Sequence, residues 1–281
     1  MLSPELMKRI GQRLMSDEIK GGLENLHFRD AGHGFDVFGM HPSVVHFGFG
    51  VTCWLYEQYF RVISQGIESI PSQGPAIIAA NHSGNIPIDG MMLWHDVLRH
   101  TNPARVVRGI ADHFVPALPF IGTLFACGGM VGGSRGNVSA LLSSGELLMI
   151  FPEGTPGIIK PWSKRYQLQK FRVGHAELAI QNRCPIIPVG IVGAEEQLPA
   201  FFSSKRLGKM FGFEAMPLPM TPIPLPVRYR ILYGAPIHVE QEYTPADADD
   251  PKILTLVAER VKQSVHELIQ TGLQERSGVF R

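Results

Sequence analysis

The sequence predicts an α/β fold: a mixed, mainly parallel central sheet with helices on both faces, plus an N-terminal helical element. Two observations predict it. Short apolar runs suited to strands buried on both faces occur at 76–80, 105–110, 147–151 and 186–192. Helical patterns lie around them, near 88–99, 114–126, 137–145 and 168–182. Strand, helix and strand repeated in this way is the pattern of a parallel sheet covered by helices.

In chain order, Ser3 caps and Pro4 opens a first helix. Its Leu6, Met7, Ile10 and Leu14 share one face, and Lys8, Arg9 and Arg13 lie largely on the other. A basic amphipathic helix of this kind suits a lipid surface or open solvent equally well. Residues 17–42 are polar and glycine-rich and read as a linker into an apolar helix near 44–64. After the strand–helix series, residues 201–226 combine Lys205, Arg206 and Lys209 with phenylalanines and five prolines. Proline at that density is expected to prevent regular helix and sheet. The loop fits a membrane interface as well as a proline-braced surface. Val227–Tyr233 alternates Val, Tyr and Ile with Arg and Leu and is expected as an edge strand. The chain closes with a helix capped by Asp250 and opened by Pro251, whose Ile253, Val257, Val261, Val265 and Leu268 form one stripe. The expected division is an N-terminal helical element (1–64), an α/β core (65–240), and a C-terminal loop and amphipathic helix packing on that core (241–281).

Composition narrows the function. Over 281 residues, 26 Lys and Arg balance 25 Asp and Glu, leaving a formal charge of +1 and no field that would attract nucleic acid. The charged share, 18%, is below the usual quarter, which suits a globular protein with apolar surface to spare. Cys53, Cys127 and Cys184 are odd in number and far apart, so a reducing compartment is expected rather than a disulfide framework. Charges interrupt the first sixteen residues and every long apolar run, so neither a signal peptide nor a membrane-spanning helix is expected. No Cys/His cluster or HExxH suggests a metal, and no G-x-G-x-x-G follows a strand.

Two segments, NHSGNIPID (81–89) and IFPEGT (150–155), stand where an apolar run meets a turn, the position at which open α/β sheets present reactive groups. The first supplies His82 and, seven residues on, Asp89. In continuous helix they would be about 10 Å apart, but Gly84 and Pro87 argue against continuous helix. A loop ahead of Pro87 could fold His82 back onto Asp89, which would then fix the imidazole tautomer. Alone, the pair reads equally as a loop histidine beside a helix-capping acid. In the second segment Gly154 permits a tight turn, with Glu153 and Thr155 on either side.

Together the two segments resemble the glycerolipid and lysophospholipid acyltransferase family, and are nearest to its mono- and diacylglycerol acyltransferase-like branch. GGMVGGSRGN (128–137) and CPIIPVGIVGAEE (184–196) resemble two further blocks of that family, in the expected order. The resemblance covers residues 76–196 and implies an O-acyltransferase that needs no cofactor. The acyl group would come from an acyl thioester, acyl-CoA or acyl carrier protein, and go to a hydroxyl of a glycerolipid or lysophospholipid. In that scheme His82 is the general base, Asp89 orients it, and Glu153, Gly154, Thr155 and Arg135 bind substrate, Arg135 through a polar or phosphate group. The protein would be cytoplasmic and peripherally attached to a membrane surface.

This chain departs from the family pattern twice. Six residues separate His82 from Asp89 where four are usual, and Pro156 stands where many members carry the arginine of FPEGTR. Lys160, Lys164 or Arg165 are candidates to replace that cation; otherwise the acceptor is neutral. Two rival readings remain. GGSRG (132–136) matches the G-x-S-x-G elbow, with Ser134 as nucleophile of an esterase and Asp247, Asp250 and His266 as candidate partners. The fold could also serve as a non-catalytic lipid-binding module. Asp112 and His113 read as helix-capping residues, His175 as an ordinary helix residue, and Phe114–Phe125 as core.

Overall fold

The computed structural model describes all residues except 1–2, 16, 25, 27, 84–86, 112–120 and 211–215. Its helices are α1 (Pro4–Arg13), α2 (Asp17–Glu24), α3 (Pro42–Trp54), α4 (Ile88–His100), α5 (Ile121–Cys127), α6 (Arg135–Ser143), α7 (Thr155–Ile158), α8 (Gly174–Gln181), α9 (Lys205–Met210), α10 (Val239–Glu242) and α11 (Pro251–Glu275). Its strands are β1 (Ile63–Gln65), β2 (Ala76–Ala80), β3 (Val107–Ala111), β4 (Val131–Gly132), β5 (Leu147–Ile150), β6 (Ile186–Val192), β7 (Phe202–Ser204), β8 (Met216–Leu218) and β9 (Arg230–Tyr233).

Seven strands form one sheet in the order β1-β9-β6-β2-β5-β3-β4. From β6 to β4 all neighbours are parallel; β9 runs antiparallel to β6, and β1 is parallel to β9. The parallel strands are apolar throughout because both faces are covered. Ile77 and Ala79 of β2 join Leu148 and Ile186 beneath Leu141, Ala179 and the Val257–Val261–Val265–Ile269 stripe of α11. Ala76, Ile78 and Ala80 face the opposite way, onto Met92, Leu93 and Val97 of α4 with Tyr56 and Phe60. Burying an Ile or Leu side chain completely contributes about 2 kcal/mol, so this two-sided centre carries much of the fold's stability. Val45, Phe49 and Cys53 of α3 form a further layer over Leu98 and Val106.

Local chemistry sets the helix starts. The Ser3 hydroxyl accepts from Leu6 N, and the Asp250 carboxylate accepts from Lys252 N at 2.8 Å, each with proline following the cap. Pro87 is the N-cap of α4, so the helix begins at Ile88 and Asp89 lies in its first turn.

The structure corrects five expectations. The stretch 17–42 contains α2 and is not wholly linker. The helix near 44–64 ends its α-helical part at Trp54 and continues as a π-helical turn, Leu55–Tyr59, before β1. Strand β9 is interior to the sheet, because the short β1 pairs along its far side. Residues 201–226 hold α9 and the antiparallel pair β7–β8, in which Pro217 is accommodated because the pair has only two strands and no third neighbour needs its N–H. The 168–182 pattern becomes helical only at Gly174, residues 168–173 being an irregular lead-in. Asp112 and His113, most of Phe114–Phe125, and Gly84 lie outside the described residues. Among the described residues no helix is long and apolar enough to cross a membrane.

Candidate active site

NHSGNIPID and IFPEGT leave the carboxyl ends of the adjacent parallel strands β2 and β5, whereas CPIIPVGIVGAEE contains β6, the other neighbour of β2, and GGMVGGSRGN contains β4 at the far edge of the sheet. The entry to the His82 loop is fixed by Asn81. Its side chain donates to the carbonyl of Ile191 at 3.0 Å and accepts from Ile191 N at 2.7 Å, prolonging the β2–β6 pairing past the last strand residue. Asn81 is completely buried, and nothing in the sequence alone marked it.

His82 and Asp89 meet despite the longer spacing: Nδ1 lies 2.7 Å from Asp89 Oδ2. The same oxygen accepts from Ser83 N at 2.9 Å, and Oδ1 accepts from Gly90 N at 2.8 Å. The carboxylate is fully buried while the imidazole is 14% exposed. A carboxylate on Nδ1 favours the proton there and leaves Nε2 with its lone pair.

The FPEGT turn packs directly on this histidine. Phe151 stacks on the His82 ring with centroids 4.2 Å apart and planes at 19°. Glu153 accepts from His82 N at 3.0 Å through Oε1 and from Gln169 N at 2.7 Å through Oε2. Buried Glu153 is therefore a brace for the histidine loop. A Cβ at Gly157 would stand 3.0 Å from Glu153 Cβ and 3.1 Å from His82 Cβ, so α7 closes tightly over both. Thr155 opens α7.

Around the brace, Lys160 is nearly buried, 2.9 Å from Glu195 Oε1 and 3.5 Å from Glu153 Oε2. Burial raises the Glu195 pKa against the pull of Lys160. Tyr166, held at φ 60, donates its N–H to Glu195 and its hydroxyl to Glu196, and that hydroxyl accepts from Gly193 N. Burial, reinforced by Glu196, places the Tyr166 phenol well above its ordinary value. Arg276 grips Glu196 through both terminal nitrogens, at 2.5 and 3.0 Å, which ties the end of α11 to the site.

The candidate cations fare differently. Lys160 is consumed by the two glutamates. Arg165 lies over the Trp162 ring at 5.0 Å, and Lys164 is exposed on the 162–164 turn. Arg135 is 82% exposed and pairs with Glu177. It follows β4, three strand positions from β2, a separation of about 14 Å along the sheet. One cation that sequence reasoning passed over, Arg172, lies against the FPEGT turn, eighteen positions from Gly154 and brought there by the chain's return past Pro152.

The serine-elbow arrangement is not assembled. Ser134 caps α6, its hydroxyl accepting from Asn137 N at 3.1 Å; Asp247 is engaged with Thr244 and Asp250 with Lys252 N. Cysteine nucleophiles are disfavoured too, since burial pushes the Cys53 thiol up to about 11 and Cys184 up to about 12. Among the described residues no group of His, Cys, Asp and Glu could hold a metal ion.

The fold and site thus define a class: an α/β protein with a histidine–carboxylate pair at the carboxyl edge of a parallel sheet, braced by a Phe-Pro-Glu-Gly-Thr turn. Comparisons with known proteins give the family. A family model described as Acyltransferase matches residues 61–192. An uncharacterized protein of Mycobacterium tuberculosis is 34% identical over 258 residues, spanning 87% of this chain and 71% of that one. The DGAT1/2-independent enzyme synthesizing storage lipids of Homo sapiens is 29% identical over 206 residues, 73% of this chain and 59% of its own. The 1-acyl-sn-glycerophosphate (LPA) acyltransferase PlsC of Thermotoga maritima superposes with a TM-score of 0.54, covering 96% of this chain and 88% of its own; at 17% identity the likeness is one of fold. The chain belongs to the acyltransferase family and is an acyltransferase.

Proposed function

We propose that this enzyme transfers a fatty acyl group from an acyl thioester, acyl-CoA or acyl carrier protein, to a hydroxyl of a glycerolipid or lysophospholipid, with His82 as general base. The observation that carries the reading is the 2.7 Å contact between His82 Nδ1 and a completely buried Asp89, with Phe151 and Glu153 holding the ring and its backbone. Nε2 takes the proton of the acceptor hydroxyl as its oxygen bonds to the thioester carbon. The tetrahedral intermediate then collapses, the C–S bond breaks, and the leaving sulfur receives the proton from the imidazolium. No acyl-enzyme and no cofactor enters the scheme. Asp89 stabilises the imidazolium between the two steps.

The acceptor is a lipid, and the surface beside the site suits a bilayer. Phe201, Phe202, Met220 and Ile223 around the β7–β8 pair are all more than half exposed, and Lys205 and Arg206 follow directly. Apolar side chains next to cations fit an anionic membrane interface, so the enzyme works as a peripheral protein on the cytoplasmic side. The test is thioester consumption by the purified enzyme on vesicles carrying lysophospholipid, monoacylglycerol or diacylglycerol. Acyl transfer to at least one of them is expected; hydrolysis of the thioester without a lipid product, or no reaction with any, would overturn the reading.

A further inference from the structure

A groove of about 760 Å³ runs between one flank of α11 and the segment 165–168. Glu259, Lys262, His266 and Leu273 recur at helical spacing and share that flank, with Arg276 just past the end of the helix. Arg165, Tyr166 and Leu168 form the opposite wall. Helix α11 lies outside residues 61–192, so the acyltransferase match assigns no role to its side of the groove. The volume falls within the range of small-molecule clefts, roughly 300–1,000 Å³.

The cations of the groove are unevenly committed. Arg276 is bound to Glu196 at 2.5 and 3.0 Å. Arg165 lies over the Trp162 ring at 5.0 Å, and among the described residues neither it nor Lys262 nor His266 forms an ion pair. Glu259 is the one acid in the lining among the described residues, so positive charge is in surplus and attracts an anion. Leu168 and Leu273, both half-buried and packed on the core beneath, add an apolar shelf on each wall. Gln167 and Gln270 supply amides that both donate and accept. Cations suit phosphate, the shelf suits a flat ring, and the amides suit the polar edge of a base.

The same wall reaches the histidine loop. Tyr166 N donates to Glu195 at 2.8 Å, and Gln169 N, one residue beyond the groove, donates to Glu153 Oε2 at 2.7 Å. Glu153 Oε1 in turn accepts from His82 N at 3.0 Å. A ligand in the groove therefore rests against the segment that braces His82. We infer that this groove binds the phosphate-bearing nucleotide portion of a ligand, with Lys262 and Arg165 as its cationic contacts from the two walls. The nucleotide is either the remote end of a CoA thioester donor, whose binding energy is then usable at the reacting centre, or a free nucleotide that acts on the site through residues 165–169. Only the donor alternative rests on the acyltransfer reading above.

Calorimetric titration of the purified full-length chain tests this without turnover. The probes are CoA, adenosine 3′,5′-bisphosphate, ATP, pantetheine, pyrophosphate and polyglutamate. At least one of the nucleotides should bind, and Lys262→Glu should weaken it about tenfold or more, with Lys262→Gln between. Pantetheine, which lacks the nucleotide, and pyrophosphate, which lacks the base, should bind more weakly. If the nucleotide belongs to the donor, Lys262→Glu should raise KM for acyl-CoA at unchanged kcat and leave turnover of an acyl-pantetheine thioester alone. If it is free, ATP or the bisphosphate should change the rate of the wild type and not that of Lys262→Glu. The assignment is wrong if the wild type binds no nucleotide, or if pyrophosphate binds as tightly as the nucleotides. It is equally wrong if Lys262→Glu and Arg165→Glu, both folded as judged by their melting points, bind like the wild type. Binding of polyglutamate alone would make the groove a protein contact and overturn it too. A chain that binds nucleotide yet transfers no acyl group would sink the acyltransfer reading and leave the groove standing.

Discussion

Asp89 and Asp96 stand on the same helix, α4, two turns apart, and both are completely buried. Each is surrounded by donors, one of them a histidine. Asp89 holds the ring of His82, which reaches the surface at the end of β2. Asp96 gathers the hydroxyls of Tyr56, Tyr233 (2.6 Å) and Ser64 (2.8 Å), with His100 Nδ1 at 3.2 Å. These partners come from the π-helical turn, β9, β1 and the end of α4. Asp96 therefore locks the N-terminal layer to the sheet, while Asp89 holds one side chain in readiness. Burial and hydrogen bonding alone do not distinguish a working carboxylate from a structural one. The difference is in what each ties together: Asp96 joins side chains from four elements, whereas the only side chain on Asp89 among the described residues is that of His82, held between β2 and the FPEGT turn.

The largest expected effect is on the structural carboxylate. Asp96→Ala strands buried hydroxyls and should cost about 4 kcal/mol of stability, read by urea denaturation, with turnover per folded molecule unchanged. A stable but inactive Asp96→Ala would erase the distinction drawn here. Acid should act next. Burial pushes His175 down to about 4 and His95 to about 3 from an ordinary 6.5, so the unfolded chain takes up protons that the folded one refuses. Stability is full above pH 6.5 and falls as pH drops toward 4, by about 3 kcal/mol for His175. His100, raised mainly by its bond to Asp96, works in the opposite sense and offsets part of the loss. Melting points at pH 7.5, 5.5 and 4.5 should decline in that order, and His175→Gln should flatten the slope; a constant melting point would contradict the assignment. Asp89→Asn should lower turnover on the order of 10² by releasing the tautomer, measured by steady-state kinetics on acyl transfer. Glu153→Gln, which keeps one acceptor for His82 N but loosens the brace, should cost about tenfold.

How much of this was legible in the sequence follows from the range of each interaction. Strands β2, β5 and β6 announce themselves because burial on both faces makes them continuous apolar runs. The cap and proline at 250–251 start α11 by chemistry confined to three residues. The His82–Asp89 pair was readable because Pro87 restarts the helix between them. Strand β1 was not, since three residues carry no periodicity and its pairing comes from β9. Helix α2 was hidden by Gly21 and Gly22, poor helix formers. Asp96 and Arg172 could not be read at all: their meaning lies in Tyr233, 137 positions away from Asp96, and in a glycine on another turn.

The central claim is that Asp89 holds His82 for proton abstraction while the rest of the network holds the fold. The most direct measurement is single-turnover acyl transfer by His82→Gln beside the wild type, with melting points taken on the same preparations. The account predicts a loss of at least about 10² in rate at an essentially unchanged melting point. Near-normal transfer by a folded His82→Gln enzyme would contradict it.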